Sequence, residues 1–456
     1  MNEGETVANQ RIEKWIAWFL LWALGLASCR GTAGQGERQA RQERADVARR
    51  YRPAQAEPNL PRLTPQSSLS EVVHYAILRS PSVEAAYYDW YAAVERITPA
   101  RSLPDPRLGL EADVAGTLTS LMPGLMIDLP GPGKVRAMGE MATAEARQAY
   151  HVFEAQVLSS AVEVKTTYYQ LRALAESIEV NRRMFDLLRE LESIAQTQHA
   201  AGRATLQDVL RAQIEMGQVR TEIANLKDSR VAAAARYRAA MGVRAEDPSV
   251  PLPAGFEDTA SPPDPNHLIE IAYDRNPVLR RMRAAIEQAE AAVRLAGRAG
   301  VPDFSVGLEA DVKPSPTMWR PSARMTLPVW RDKIAAQIAA ATAQSRAARS
   351  RLTAEEVALG AEFAGMLFMF RESQRDLDLL TGEILPRARQ SLEVARTGYV
   401  SGRASFIDIL DAQRSLLSFE LATTEARARR EVALANLSLT IAGIMPQGSP
   451  LPEERP

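Results

Sequence analysis

Asp408 and Asp411 lie three residues apart, so on a helix their carboxylates share one side. Such a pair attracts cations if the face is enclosed and is a solvated surface otherwise. Asp208 stands in a related stretch 200 positions earlier, and Glu111, Asp113, Glu309 and Asp311 form two further acidic pairs. Beyond these, groups placed for chemistry are scarce. His74, His151, His199 and His267 are far apart and lack metal-ligand spacing, and Cys29 is the sole cysteine, which excludes an internal disulfide framework or a thiolate cluster. There is no P-loop, G-x-S-x-G, H-E-x-x-H or glycine-rich dinucleotide turn, so neither an enzyme nor a cofactor is expected. Met138 with Met141, and Met366 with Met369, sit at helical spacing and read as packing rather than as soft-metal sites. The formal net charge of -1 offers no field for nucleic acid.

The elements that position these residues are duplicated. Leu103-Pro104-Asp105-Pro106-Arg107-Leu108-Gly109-Leu110-Glu111-Ala112-Asp113-Val114 returns 198 positions later as Val301-Pro302-Asp303-Phe304-Ser305-Val306-Gly307-Leu308-Glu309-Ala310-Asp311-Val312. Ala201-Gly202-Arg203-Ala204, followed by Asp208, matches Ser401-Gly402-Arg403-Ala404, followed by Asp408, at an offset of 200. A unit of roughly two hundred residues is far too long for a solenoid repeat. The boundaries read as a first repeat over 68–242, a linker rich in Pro and Asp over 243–266, a second repeat over 267–445 and a tail over 446–456.

Each repeat reads as helix, hairpin, long helix, turn, helix. The first copy predicts helices at about 70–101 (with a boundary near Ser80-Pro81), 134–199 and 205–241. The second predicts them at about 266–298, 332–397 (with a possible kink at Pro386) and 405–444. The longest run contains no proline and would extend on the order of 100 Å. Helices of this length need lateral partners. Strands fall at about 106–129 and 304–327, with apolar and polar residues alternating at period two. That alternation suits a transmembrane β-strand and equally a half-buried soluble sheet. Four strands cannot close a barrel, however, and hydrocarbon does not tolerate open edges. If they cross a membrane, several copies must share one barrel, with Glu111, Asp113, Glu309 and Asp311 directed into its lumen.

The N-terminus carries a second signal. Arg11 and Lys14 precede an apolar run from Trp15 to Ala27, too short to span a bilayer, which reads as a signal peptide over 1–28. Leu26-Ala27-Ser28-Cys29 looks like a bacterial lipobox, which implies diacylation of Cys29, and Arg30 after it favours the outer membrane. Residues 29–67 read as an extended polar linker from that anchor.

The repeats, lipobox and turn motifs together resemble the TolC-type outer-membrane efflux channels. The most specific stretches are His199 to Leu210 and Tyr399 to Gln413, set against a family pattern of Tyr-x-x-Gly followed by Asp-Val-Leu-x-Ala-Gln; the first copy carries His199 where Tyr is usual. The resemblance covers about Ser68 to Met445. It implies a mainly α fold with a small transmembrane β part: a homotrimer with a twelve-stranded β-barrel in the outer membrane and a twelve-helix periplasmic α-barrel. It further implies docking on a periplasmic adaptor and an inner-membrane pump of the RND type, at tips carrying Gly202, Arg203, Ala204, Gly402, Arg403 and Ala404. Asp408 and Asp411 would line the closed aperture, with Asp208 and Tyr399 at positions that tie neighbouring helices shut. Arg403 lies one position from the family's gating arginine. Leu129-Pro130-Gly131-Pro132-Gly133-Lys134 is similar to the strand-to-helix corner of the members paired with heavy-metal pumps. Two functions follow from different classes: a passive gated duct for small molecules or metal ions, or a periplasmic coiled-coil lipoprotein scaffold that never enters the membrane.

Overall fold

The structure is a computed structural model that describes residues 34–52, 59–114, 118–248, 250–259, 265–313 and 316–442. The signal peptide, Cys29 and the 446–456 tail lie outside them. In the first copy, α1 (Gln35–Tyr51), α2 (Leu69–Arg79) and α3 (Pro81–Ala100) precede the strands β1 (Arg107–Val114) and β2 (Leu118–Leu129). The long helix α4 (Lys134–Ala200) and its partner α5 (Leu206–Ala240) follow. The second copy has α6 (Pro265–Arg275), α7 (Pro277–Gly297), β3 (Phe304–Asp311), β4 (Met318–Met325), α8 (Arg331–Leu379), a π-helical turn (Leu380–Ile384), α9 (Leu385–Val400) and α10 (Phe406–Thr440).

The breaks follow local chemistry. Ser68 caps α2 through a reciprocal capping box with Glu71. Ser80-Pro81 and Asn276-Pro277 end α2 and α6, because the residue before proline is driven out of the α region. Where a kink at Pro386 is expected, the helix instead takes up a π turn just before it. The duplication explains why. Arg172 corresponds to Arg371 at an offset of 199, and Gly202 to Gly402 at 200, so one extra residue sits between them in the second copy. A single π turn absorbs such a residue without breaking the helix.

One expectation is corrected. Residues 35–51 form a helix rather than an extended linker. Its Glu37 is 2% exposed and is held by Arg41, Arg101 and the Thr98 hydroxyl, while Arg41 and Arg44 also meet Glu95. Burial raises the Glu37 pKa, but its bonds from Arg101 and Arg41 outweigh that and hold the carboxyl below the usual range. The polar composition that suggested a solvated linker is spent on ion pairs with α3.

The chain forms two compact units. One comprises the residues up to Arg50, Asp89–Ala149 and Met282–Arg351; the other comprises Tyr51–Tyr88, Tyr150–Arg281 and the residues from Leu352 onward. The first holds an antiparallel sheet in the order β1-β2-β3-β4, with β1 and β4 as unpaired edges. The second packs helices from both copies. Leu188, Leu191 and Val209 of the first copy share one core with Phe406, Ile409 and Leu410 of the second. It also buries Lys165, 5% exposed, whose pKa burial lowers to about 8.

Candidate functional site

The register sorts the sheet into two faces. One carries Leu108, Leu110, Ala112 and Val114 of β1, Leu121, Pro123, Leu125, Ile127 and Leu129 of β2, Phe304, Val306, Leu308 and Ala310 of β3, and Trp319, Pro321, Ala323 and Met325 of β4. Every one of these is apolar. The other face carries the predicted lumen acids. Glu111 lies opposite Met122, Asp113 opposite Ser120, Glu309 opposite both Gly124 and Arg320, and Asp311 opposite Met318. Gly124 makes room there, since a Cβ would come within 2.6 Å of the Glu309 Cγ and push that side chain aside.

Along the edge strands β1 and β4 the apolar face is uncovered, and of its residues only Ala310 of β3 is fully buried. Leu108 and Leu110 are 81% and 69% exposed, whereas Asp311 is 5% exposed and lies 3.7 Å from Arg320. A soluble sheet turns its leucines inward, and an apolar surface this continuous marks a contact with lipid or a partner. The acids are also not alone on their face. Arg107 pairs with Asp128, which accepts a bond from the Ser305 hydroxyl at 2.6 Å, and Arg320 and Arg324 lie on the same side. Arg320 belongs to a part of β4 that precedes the alternation recognised in the sequence.

The turns that join α4 to α5 and α9 to α10, the two tips, are built alike. Gly202 and Gly402 adopt φ of 70° and 73°. In the first turn the N–H of Gly202 bonds the His199 carbonyl at 2.9 Å and that of Arg203 bonds Gln198 at 2.8 Å; in the second, Gly402 bonds Tyr399 at 2.9 Å and Arg403 bonds Gly398 at 2.7 Å. Both are Schellman motifs, whose left-handed residue glycine adopts without a Cβ penalty. Gly202, Arg203, Gly402 and Arg403 are exposed, and Ala204 and Ala404 are half-buried beside them. These six residues do gather at the two turns.

The aperture residues divide. Asp408, Asp411, Arg403 and Ala404 line one open groove of about 1140 Å³ along α9 and α10, with Arg387 and Phe419. Asp408 also caps its own helix. Its carboxylate accepts the Ser405 N–H and hydroxyl, both at 2.8 Å, and these bonds hold its pKa below the usual range. Asp208 does the same more weakly, accepting the Thr205 N–H at 3.1 Å. No hydrogen bond joins Asp208 to Tyr399. The Tyr399 hydroxyl is buried without a partner, and desolvation, then the charge of Asp208, raises its pKa. His199, in the matching position, turns outward and bonds the Ala204 carbonyl through Nδ1 at 3.0 Å. Sequence reasoning missed Arg414, which pairs with Glu215 of the first copy and lies 3.9 Å from Asp411. The motif Ser405-x-x-Asp408 was the readable signal for the cap. Among the described residues no group of His, Cys, Asp and Glu could hold a metal ion, and no helix is long and apolar enough to cross a membrane.

Comparison with known proteins agrees with this geometry. A family profile described as outer membrane efflux protein matches residues 72–243 and 268–443. The chain is 24% identical over 330 residues to the cobalt-zinc-cadmium resistance protein CzcC of Cupriavidus metallidurans, covering 70% of this chain and 77% of that protein. It is similar in fold to the outer membrane protein VceC of Vibrio cholerae, with a TM-score of 0.69 and 19% identity over 89% of this chain and 99% of that one. The open-state outer membrane channel MtrE of Neisseria gonorrhoeae gives 0.69 and 18% over 84% and 90%.

Proposed function

The chain belongs to the outer membrane efflux protein family, and on that footing we propose that three copies close into one gated duct that carries metal cations outward. The carrying observation is the inverted sheet: one face is wholly apolar and lies exposed along the edge strands β1 and β4, and the other is charged. Two bare edges on a four-stranded sheet call for neighbouring copies, because an open edge has no partner in hydrocarbon. Three copies supply twelve strands around a water-filled lumen. A coiled-coil scaffold would gain nothing from exposing Leu108 and Leu110.

Asp408 and Asp411 form stacked carboxylate rings at the narrow end, and the exposed tips at Gly202–Ala204 and Gly402–Ala404 seat a periplasmic adaptor. An inner-membrane pump of the RND type supplies the energy, and acylated Cys29 anchors each copy to the outer membrane. Opening separates neighbouring helix pairs around Asp208, Tyr399 and Asp408. The likeness to a cobalt-zinc-cadmium resistance protein supports divalent cations as cargo, as do the neighbouring carboxylates of Asp408 and Asp411. Retention of cobalt, zinc and cadmium in a deletion strain, set beside hydrophobic dyes and antibiotics, is the test. Selective metal retention is expected; selective dye and antibiotic retention would assign the duct to multidrug export instead.

A further inference from the structure

The sheet holds a register that a single chain does not complete. Gly109 of β1 pairs with Gly124 of β2, and Gly124 pairs on its other side with Glu309 of β3. In the duplication Glu309 is the counterpart of Glu111, not of Gly109. Passage through one repeat therefore slides the register by two residues. The hairpins share one register up to Asp113, where only the first has a bulge: Arg107 opposite Met126 in the first becomes Ser305 opposite Arg324 in the second, each 198 positions on. The slide belongs wholly to the β2–β3 contact, where the end of one repeat meets the start of the other.

Closure of the barrel, which rests on the channel reading above, brings β4 of one copy against β1 of the next. That is again the end of one repeat meeting the start of another. We infer that this seam repeats the β2–β3 register: Ser322 faces Glu111, Arg324 faces Gly109 and Arg320 faces Asp113 of the neighbouring copy.

Charge supports this pairing. Among the described residues Glu111, Asp113 and Arg324 have no ion-pair partner within the chain, and Glu111 and Asp113 are exposed along one edge while Arg320 and Arg324 lie along the other. In the inferred register Arg320 meets Asp113, and Arg324 is diagonal to Glu111, within reach of a long side chain. Two β4 edges set antiparallel about Ser322 would instead put Arg320 against Arg324 twice. The charges thus oppose a two-fold β4–β4 contact and favour a head-to-tail one, which can close into a ring.

Geometry supports it independently. A slide of about two residues at each of six contacts between repeats gives a shear of about twelve for twelve strands. With a rise of about 3.3 Å per residue and strands about 4.8 Å apart, the strands tilt by about 35°, at the edge of the range of closed barrels. A seam without the slide would halve the shear and fall well below that range.

Disulfide trapping in isolated outer membranes tests the register, with the parent chain and its single Cys29 as the blank. Asp113→Cys with Arg320→Cys, and Glu111→Cys with Ser322→Cys, should give oxidant-dependent covalent dimers and trimers, since opposed residues lie within disulfide reach. Asp113→Cys with Arg324→Cys stands about 13 Å out of register and should give none. Cross-linking by the out-of-register pair, or by no pair in a chain that still runs as a heat-modifiable trimer, overturns the seam and leaves the channel standing. A parent chain that is no trimer overturns both. Arg320→Glu with Arg324→Glu should sharply lower the trimer yield, and adding Glu111→Arg with Asp113→Arg should restore it. Unchanged yield in the first double variant would overturn the role given to charge.

Discussion

The two copies of the repeat differ most where they are longest. In the first, α4 runs 67 residues unbroken, whereas the corresponding stretch of the second is α8, a π turn and α9. Pro386 follows the π turn and offers no N–H, so one backbone hydrogen bond that a continuous α-helix would make is absent there. The first copy buries Lys165 where the second has exposed Ala364. At the tips the first sends His199 to the turn carbonyl, while the second buries the Tyr399 hydroxyl with nothing to bond. The first copy thus has the unbroken helix, and the second carries the groove lined by Asp408 and Asp411.

The largest effect expected concerns the first copy. Below pH 8 Lys165 is charged in both folded and unfolded chains, and the folded state bears the full desolvation penalty. That penalty disappears as pH rises from about 8 towards the ordinary lysine value of 10.5. Lys165→Met should therefore stabilise the second unit by about 3 kcal/mol at neutral pH, with the gain shrinking to nothing above pH 10.5. Denaturant titrations at several pH values measure it, and a pH-independent difference would show that Lys165 is not desolvated.

Next come the turns, which the comparison holds equivalent. Gly202→Ala and Gly402→Ala should each cost about 1–2 kcal/mol, because alanine is strained at φ near 70°. Equal losses of tip protection in hydrogen exchange sharpen the equivalence, and a loss at only one tip breaks it.

The groove comes third. Asp408→Ala with Asp411→Ala should raise single-channel conductance in planar bilayers severalfold, whereas Asp208→Ala, whose carboxylate caps a helix of the first copy, should raise it less. Identical conductance in all three chains would remove the rings from the gate.

The smallest effect is in the caps. Asp408 has a depressed pKa, so its contribution is present above the ordinary carboxylate range and fades as acid titrates it. Asp408→Asn should fray the start of α10 at neutral pH and make its proteolysis insensitive to acid. Asp208→Asn, with a single longer bond, should fray α5 less.

Much of this was legible in the sequence because the signals are local. Period-two alternation placed β1 to β4, and Gly202 and Gly402 marked turns that need a left-handed residue. What escaped was set by distant partners. Helix α1 owes its order to Arg101, Thr98 and Glu95, which sequence places more than fifty residues away. The π turn is visible only as a one-residue change in offset. The motif led to an aperture reading for Asp408, whereas the fold shows its carboxylate bonded to Ser405, three residues back. Arg320 went unnoticed because Pro321 beside it obscures the strand pattern.

The inverted sheet also constrains the order of events in the life of the chain. A nascent copy crosses an aqueous compartment with Leu108, Leu110, Val114 and Trp319 uncovered and both edges bare. In water that surface invites the wrong neighbours, edge to edge, before the right ones arrive. On the channel reading, entry into lipid together with recruitment of the other copies is the step that covers this surface. The helical unit has buried cores of its own and can form ahead of it.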